Sequence, residues 1–204
     1  MEITILIPAA GASSRMRGTD KLVEAVDGQP LLRRQAERAL ATGLPVLVTL
    51  PPADHPHHAG RRAALDGLAV TPLMVAEAAE GLSASLRAGV AAAKDSAGLL
   101  VLLADLPEIG TADLGALIAG FEEAPGTVFR ASAEDGAPGH PVLLPRRLFD
   151  QLARLHGDAG ARDLLKAEQA AGRLQLLPLP GRRATTDLDT PEDWAAWRAR
   201  HGAG

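Results

Sequence analysis

Arg15, Arg17 and Lys21 fall within seven positions in the stretch LIPAAGASSRMRGTDKL, Leu6 to Leu22, directly after an apolar run. Between the run and the charges the residues are small. Ala9, Ala10 and Gly11 leave room for a ligand to reach backbone N–H groups, and Gly11 is free to adopt positive φ. Successive N–H groups of that kind form an anion nest. Arg15 adds a planar fork suited to phosphate, and Lys21 adds a mobile point charge. Together they suit a triphosphate. Neither a Gly-Lys-Ser/Thr phosphate loop nor the three-glycine dinucleotide spacing is present. The plainer alternative, a strand-to-helix loop with solvated basic residues, stays open on these residues alone. Asp105 is the acidic counterpart: the run GLLVLLA delivers its carboxylate to the end of a buried strand, and Pro107 turns the chain away. A magnesium ion bridging phosphate oxygens takes one or two protein carboxylates and fills its remaining positions with water. Asp105 suits the first of these; its structural alternative is a cap for the helix that follows.

The elements that must position these groups follow from hydrophobic patterning. EITILI, PVLVTL, AVTPLMV and GLLVLLAD read as strands, and they alternate with the helix-length segments PLLRRQAERALAT, HHAGRRAALDG, LSASLRAGVAAAK and TADLGALIAGFEEA. That alternation predicts an α/β three-layer sandwich with a mostly parallel central sheet. ITILI and LLVLL are continuously apolar, as central strands covered on both faces are, and they should be neighbours. Beyond Pro125 the order loosens into GTVFRAS, GHPVLLP, helices over about 146–155 and 159–171, RLQLLPLP and a last helix opened by TPEDW, an elaboration of the sheet edge. Ligands of such sheets bind outside the carboxyl ends of the strands, where strand order reverses. Both the opening loop and Asp105 lie at such ends.

Bulk composition narrows the class. The 204 residues, 47% of them apolar, fit a single domain over 1–204, and no apolar run is long enough to span a membrane. A net charge of −4 argues against a nucleic-acid partner, and the lack of cysteine excludes disulfides and thiolate zinc and points to the cytoplasm. His55, His57 and His58 are close together in a turn-rich segment and read as surface residues rather than as a metal site. Trp194 and Trp197 read as packing residues that anchor the last helix to the sheet. Thr190 and Pro191 read as N-cap and first helical residue.

The opening loop resembles the signature of the nucleotidyltransferases that include the molybdenum-cofactor cytidylyltransferases and guanylyltransferases. Five later segments are similar to the same family and keep its order: GLSASLRAG from Gly81, ADLPEI from Ala104, GHPVLLPRRLF from Gly139, LHGDAGARDLL from Leu155 and TDLDTPEDW from Thr186. The resemblance implies a Rossmann-like nucleotidyltransferase fold. It implies transfer of a nucleotidyl group to a phosphorylated acceptor, with pyrophosphate leaving. Arg15, Lys21 and Asp105 would be catalytic. Ala9, Ala10 and Gly11, with Gly81, Ser83 and Ser85, would join Arg15 and Lys21 in holding the nucleotide. Asp105 would share magnesium with Asp187 or Asp189, of which Asp187 is slightly preferred. Gly139, His140, Pro141, Asp158 and Arg162 would face the acceptor.

CTP is favoured over GTP, because TLPPA stands where the guanylyltransferase branch has an asparagine after the second strand. Molybdopterin is the favoured acceptor, with transient contacts to molybdoenzymes or cofactor chaperones. The rival readings are a guanylyltransferase on molybdopterin, a cytidylyltransferase on a sugar or polyol phosphate, a glycosyltransferase and a non-catalytic cofactor-delivery protein. The glycosyltransferase would need an Asp-x-Asp after the fourth strand, where this chain has ADLPE.

Overall fold

The computed structural model describes residues 2–202, apart from the side chains of 158–160. Its sheet contains strands β1 (Ile3–Pro8), β4 (Val46–Leu50), β5 (Thr71–Met74), β6 (Gly98–Val101), β7 (Val128–Ser132), β8 (Pro138–Pro145) and β9 (Leu174–Pro178), in the order β5-β4-β1-β6-β8-β7-β9. The pairs β5/β4, β4/β1, β1/β6 and β7/β9 are parallel, while β8 runs antiparallel to both β6 and β7. The mostly parallel sheet and the adjacency of β1 and β6 agree with the sequence. The elements after Pro125 do extend the sheet at one side, but β8 enters as the antiparallel strand next to β6.

The continuous apolar character of β1 has a direct structural cause. Ile3, Ile5 and Ile7 point into a core with α1 (Leu31–Leu40) and α4 (Thr111–Glu123), while Leu6 points into the opposite core with α3 (Leu82–Ala92) and α5 (Phe149–Leu152). Period-two side-chain alternation puts an apolar residue on both faces because both faces are covered. Gly89 of α3 is the close-approach point on that side, since a Cβ there would lie 2.5 Å from the Leu6 side chain. α6 (Gly157–Ala170) completes this layer, and α2 (His58–Ala64) lies beside β4 on the other. The expected helix over 146–155 is shorter, a 3-10 turn leading into α5.

The last helix, α7 (Pro191–His201), departs from expectation in its packing. Thr190 caps it, accepting from the Asp193 N–H at 3.1 Å while Asp193 accepts from the Thr190 N–H at 2.9 Å, as TPED predicts. Trp194 and Trp197, however, do not rest on the sheet. They pack with Met16, Leu31, Leu188 and Val26, the last from a two-stranded ribbon of β2 (Ala25–Val26) and β3 (Gln29–Pro30). The tryptophans thus seal the C-terminal segment against the opening loop, which brings residues 187–189 to Lys21.

Glu168 of α6 ties the edge strands down. It accepts from Arg173 Nη2 at 3.0 Å and from Arg147, and these two guanidinium groups hold its carboxyl down at about 2. A carboxyl whose pKa is lower in the folded state stabilises the fold above its unfolded value, and that contribution disappears as pH falls through the folded one. Because both arginines are partly solvated, Glu168→Gln is expected to lower stability by about 1–2 kcal/mol at neutral pH. The gap between variant and parent should close between pH 4.5 and 2. Urea unfolding of both proteins along a pH series measures it.

Candidate active site

The loop after β1 is shaped from beneath by a residue the sequence did not single out. Arg61 of α2 is completely buried. Its Nη1 donates to the carbonyls of Ala9 and Gly11, each at 2.7 Å, and its Nη2 to Ser13 Oγ at 3.0 Å. Nε and Nη2 donate to the two carboxylate oxygens of Asp20, both at 2.8 Å. Burial alone would raise the Asp20 pKa, yet Arg61 and the Leu22 N–H hold it below its ordinary value. Two loop carbonyls are thus drawn inward by a guanidinium. The reading of Ala9 as a free amide donor is corrected: its N–H is spent on Thr49, on both the carbonyl and Oγ1 at 3.1 Å. Ala10 is buried against Val75 and Ala84. Gly11 does not use positive φ; Ser13 (φ 49°) and Arg17 (φ 52°) take the left-handed conformations instead. A Cβ at Gly11 would meet nothing within 4 Å, so the loop is open there.

Across the loop the charges converge. Lys21 Nζ lies 2.6 Å from Asp105 Oδ2 and 2.5 Å from Asp189 Oδ1, and Arg15 Nη1 lies 2.7 Å from Asp189 Oδ2. Lys21, Asp105 and Asp189 are mostly buried, whereas the Arg15 side chain is 68% exposed. Burial would lower the Lys21 pKa, but Asp105 and Asp189 reverse this and raise it, so the ammonium is permanent at neutral pH. The two carboxylates of the last loop differ. Burial opposes ionisation of Asp189, yet Lys21 and Arg15 hold it below its usual range. Burial first, then the neighbouring Asp189 and Asp105, push Asp187 up.

Asp105 caps no helix. The N-cap of α4 is instead Gly110, whose N–H donates to Asp113 Oδ2 at 2.8 Å. One Asp105 oxygen, Oδ1, is buried without a hydrogen-bond partner.

A cavity of about 320 Å³ lies between the loop and the start of α3, lined by Ala9, Arg15, Lys21, Gly81, Ser85 and Asp105 among others. Gly81 has φ +76°, which turns the chain into α3. Ser85 Oγ pairs with Thr49 Oγ1 at 2.9 Å, while the Ser83 hydroxyl turns to the Glu80 carbonyl and the residue is buried away from the cavity. A second cavity, about 580 Å³, continues from Lys21 and Asp105 toward α6 and is lined by Arg130, His140, Arg162, Lys166 and Asp187.

Of the expected acceptor residues, Arg162 and His140 line this second cavity. Gly139 has a packing role, since a Cβ there would sit 1.9 Å from the Ala184 carbonyl oxygen. Pro141 is buried in β8, and the Asp158 side chain lies outside the described residues. Among the described residues no three His, Asp or Glu side chains form a ready-made metal cage, the histidines of residues 55–58 included. Arg61 had a legible signal: it shares a helical face with the buried Ala64 and Leu65, whereas Arg62 points outward.

A doubly covered sheet with cations facing carboxylates at the carboxyl ends of β1 and β6 is the architecture of a nucleotide-handling α/β enzyme. Residues 5–173 match the family described as MobA-like NTP transferase domain. The chain is 30% identical over 194 residues to purine catabolism protein PucB of Bacillus subtilis, covering 91% of each. The crystal structure of Rv0371c from Mycobacterium tuberculosis H37Rv superposes with a TM-score of 0.79 at 29% identity, over 96% of this chain and 97% of that one. CMP:2-keto-3-deoxy-manno-octonic acid synthetase complexed with CTP shares the fold, with a TM-score of 0.76 at 17% identity over 98% of both chains. The protein belongs to the MobA-like NTP transferase family and is a nucleotidyltransferase. No helix among the described residues is long and apolar enough to cross a membrane.

Proposed function

We propose that the protein transfers CMP from CTP, with magnesium, to the phosphate of an acceptor, and that the acceptor is molybdopterin. The observation that carries this reading is the cleft itself: Arg15 and Lys21 on one loop face Asp105 and Asp189 within ion-pair distance. An acceptor phosphate oxygen attacks the α-phosphorus, the new P–O bond forms as the bond to the β-phosphate bridging oxygen breaks, and pyrophosphate leaves with the electron pair. Positioning and charge neutralisation are the main means by which a protein accelerates such a step. Lys21 and Arg15, kept in place by Asp189, turn their remaining N–H donors to triphosphate oxygens and hold the departing pyrophosphate. Ala9, Gly81 and Ser85 shape the wall beside the nucleoside.

The donor set fits a hard divalent cation. All candidate ligands are carboxylate oxygens, and Asp105 Oδ1 is buried without a partner. Asp105 and Asp187 would hold the ion, since Asp189 is already engaged by Lys21 and Arg15. Bound there, magnesium would neutralise charge on the phosphate oxygens. Rv0371c, 28% identical to this chain, has a crystal structure in complex with manganese, which supports a divalent ion in the reading. CTP is favoured over GTP because Pro51 and Pro52 follow β4, where neither an amide side chain nor a proline N–H is available to read a guanine edge. Cytoplasmic location and transient contact with molybdoenzymes or cofactor chaperones belong to the same reading.

The test compares CTP, GTP, ATP and UTP with magnesium. At 100 times its dissociation constant the preferred triphosphate should raise the melting temperature by about 5–10 °C. Only that triphosphate should release pyrophosphate in the presence of purified molybdopterin. A larger shift and faster release with GTP would overturn the cytidine assignment, and pyrophosphate release from none would leave a delivery protein.

A further inference from the structure

Most of the chain's buried or half-buried guanidinium groups have visible partners. Arg61 is saturated by Asp20 and the loop, and Arg38 gives Nη1 to the carbonyls of Pro107 and Ile109. Arg130 of β7 is different. Its Nε donates to the Gly139 carbonyl at 2.9 Å, which fixes the plane of the group. Among the described residues no carboxylate lies within ion-pair distance, and its two terminal amino groups make no hydrogen bond. Arg162, on the facing side of the same cavity, likewise has no carboxylate partner among them. Lys166 is one helical turn further along α6, on the same face as Arg162, and its nearest acid, Asp163, is 3.8 Å away. All three line the larger cavity, which also contains Lys21 and Asp105.

The neighbouring His140 sharpens the picture. It is buried in the wall of that cavity, burial and the charge of Arg130 push its pKa down to about 4, and its Nδ1 has no partner. A neutral ring cannot balance Arg130. A half-buried, oriented fork without an anion is an incomplete ion pair, and leaving such a charge uncompensated is unfavourable unless a ligand supplies the partner. Leu82, Leu103, Ala161 and Leu165 give the same cavity an apolar wall against which an uncharged ring can lie.

We propose that Arg130, with Arg162 and Lys166, forms the seat for the acceptor's phosphate, and that Arg130 makes the enzyme select a phosphomonoester over an acceptor presenting only a hydroxyl. This rests on the nucleotidyl-transfer reading for the identity of the ligand as acceptor, but the anion seat itself is testable without turnover. The seat is separate from the triphosphate grip of Arg15 and Lys21, and it opens onto the same Asp105. A phosphate held by the fork of Arg130 keeps one oxygen directed toward the α-phosphorus.

The experiment uses inorganic phosphate as probe, measured by calorimetry on protein saturated with a non-hydrolysable CTP analogue and manganese. Parent protein should bind phosphate saturably. Arg130→Gln should weaken that binding at least 10-fold while leaving the melting shift given by the CTP analogue unchanged. Arg146→Gln, beyond the far end of β8 and at the opposite end of the strands from Asp105, should bind phosphate like the parent. If Arg130→Gln proves unstable, the Arg162→Gln, Lys166→Gln double variant on the exposed helix face carries the same expectation.

Phosphate binding that is unchanged in these variants, or that vanishes whenever the nucleotide analogue is bound, overturns the seat. Phosphate held as expected in a protein that releases no pyrophosphate with any acceptor overturns the transfer reading and leaves the seat standing.

Discussion

Lys21→Ala is expected to reduce pyrophosphate release by about 10²–10³-fold at saturating CTP, the usual consequence of removing one preorganised charge from a developing anion. The position makes this specific. The ammonium bridges Asp105 and Asp189 at 2.6 and 2.5 Å, on the boundary of both cavities, so it meets whichever phosphate oxygen enters between them. Its removal affects the rate much more than the fold, because Asp189 keeps Arg15 as partner. Circular dichroism should show a native spectrum, and kcat should fall more than KM rises. Turnover within threefold of the parent in a folded variant would remove Lys21 from the chemistry. Asp105→Asn should behave alike in rate. Its neutral amide keeps the shape of the group but takes away the charge facing Lys21.

Arg61→Ala should be the most destabilising single change around the site, by about 3–5 kcal/mol, the range for removing one partner of a buried ion pair. It leaves the nearly inaccessible Asp20 carboxylate without its guanidinium, with only the His57 ring 4.0 Å away, and the carbonyls of Ala9 and Gly11 without their donor. For a chain of this length that corresponds to a fall in melting temperature of about 10–15 °C. Urea unfolding at 25 °C measures it directly. Asp20→Asn retains a hydrogen-bonding side chain and should lose less. In whatever fraction of Arg61→Ala stays folded at low temperature, the loop is no longer held from below, so the KM for the triphosphate should rise along with the loss of stability. A stability change under 1 kcal/mol would show that the clamp is not what shapes the loop.

The sequence made much of this legible because some features are local. Apolar runs covered on both faces announce β1 and β6 as central parallel strands, and small residues followed by Arg15 and Lys21 announce a loop that carries charge at the end of β1. TPED announces its own helix start through contacts three residues apart. Features that depend on partners distant in the chain were not legible in the same way. Arg61 and Arg62 are adjacent and chemically identical in sequence. Helical spacing with Ala64 and Leu65 marks Arg61 as the inward one, but only the packing of α2 under the loop supplies Asp20 and the carbonyls of Ala9 and Gly11 as its partners. GHP pointed to an acceptor surface, yet Gly139 is glycine because the backbone at Ala184 passes through the space a Cβ would fill.

By itself, then, the chain's order of residues determined the layered α/β architecture, the small-residue loop after β1 and the charged side chains proposed to do the chemistry, since these follow from periodicity and residue type within short windows. The tertiary structure alone decided which carboxylate meets which cation. Asp189 rather than Asp187 pairs with Lys21 and Arg15 because Trp194 and Trp197 pack against Met16 and the small ribbon, not the sheet, and so draw the C-terminal segment across the cleft. Ion pairing depends on distances of a few ångströms between segments far apart in sequence, and those distances exist only once both cores have closed.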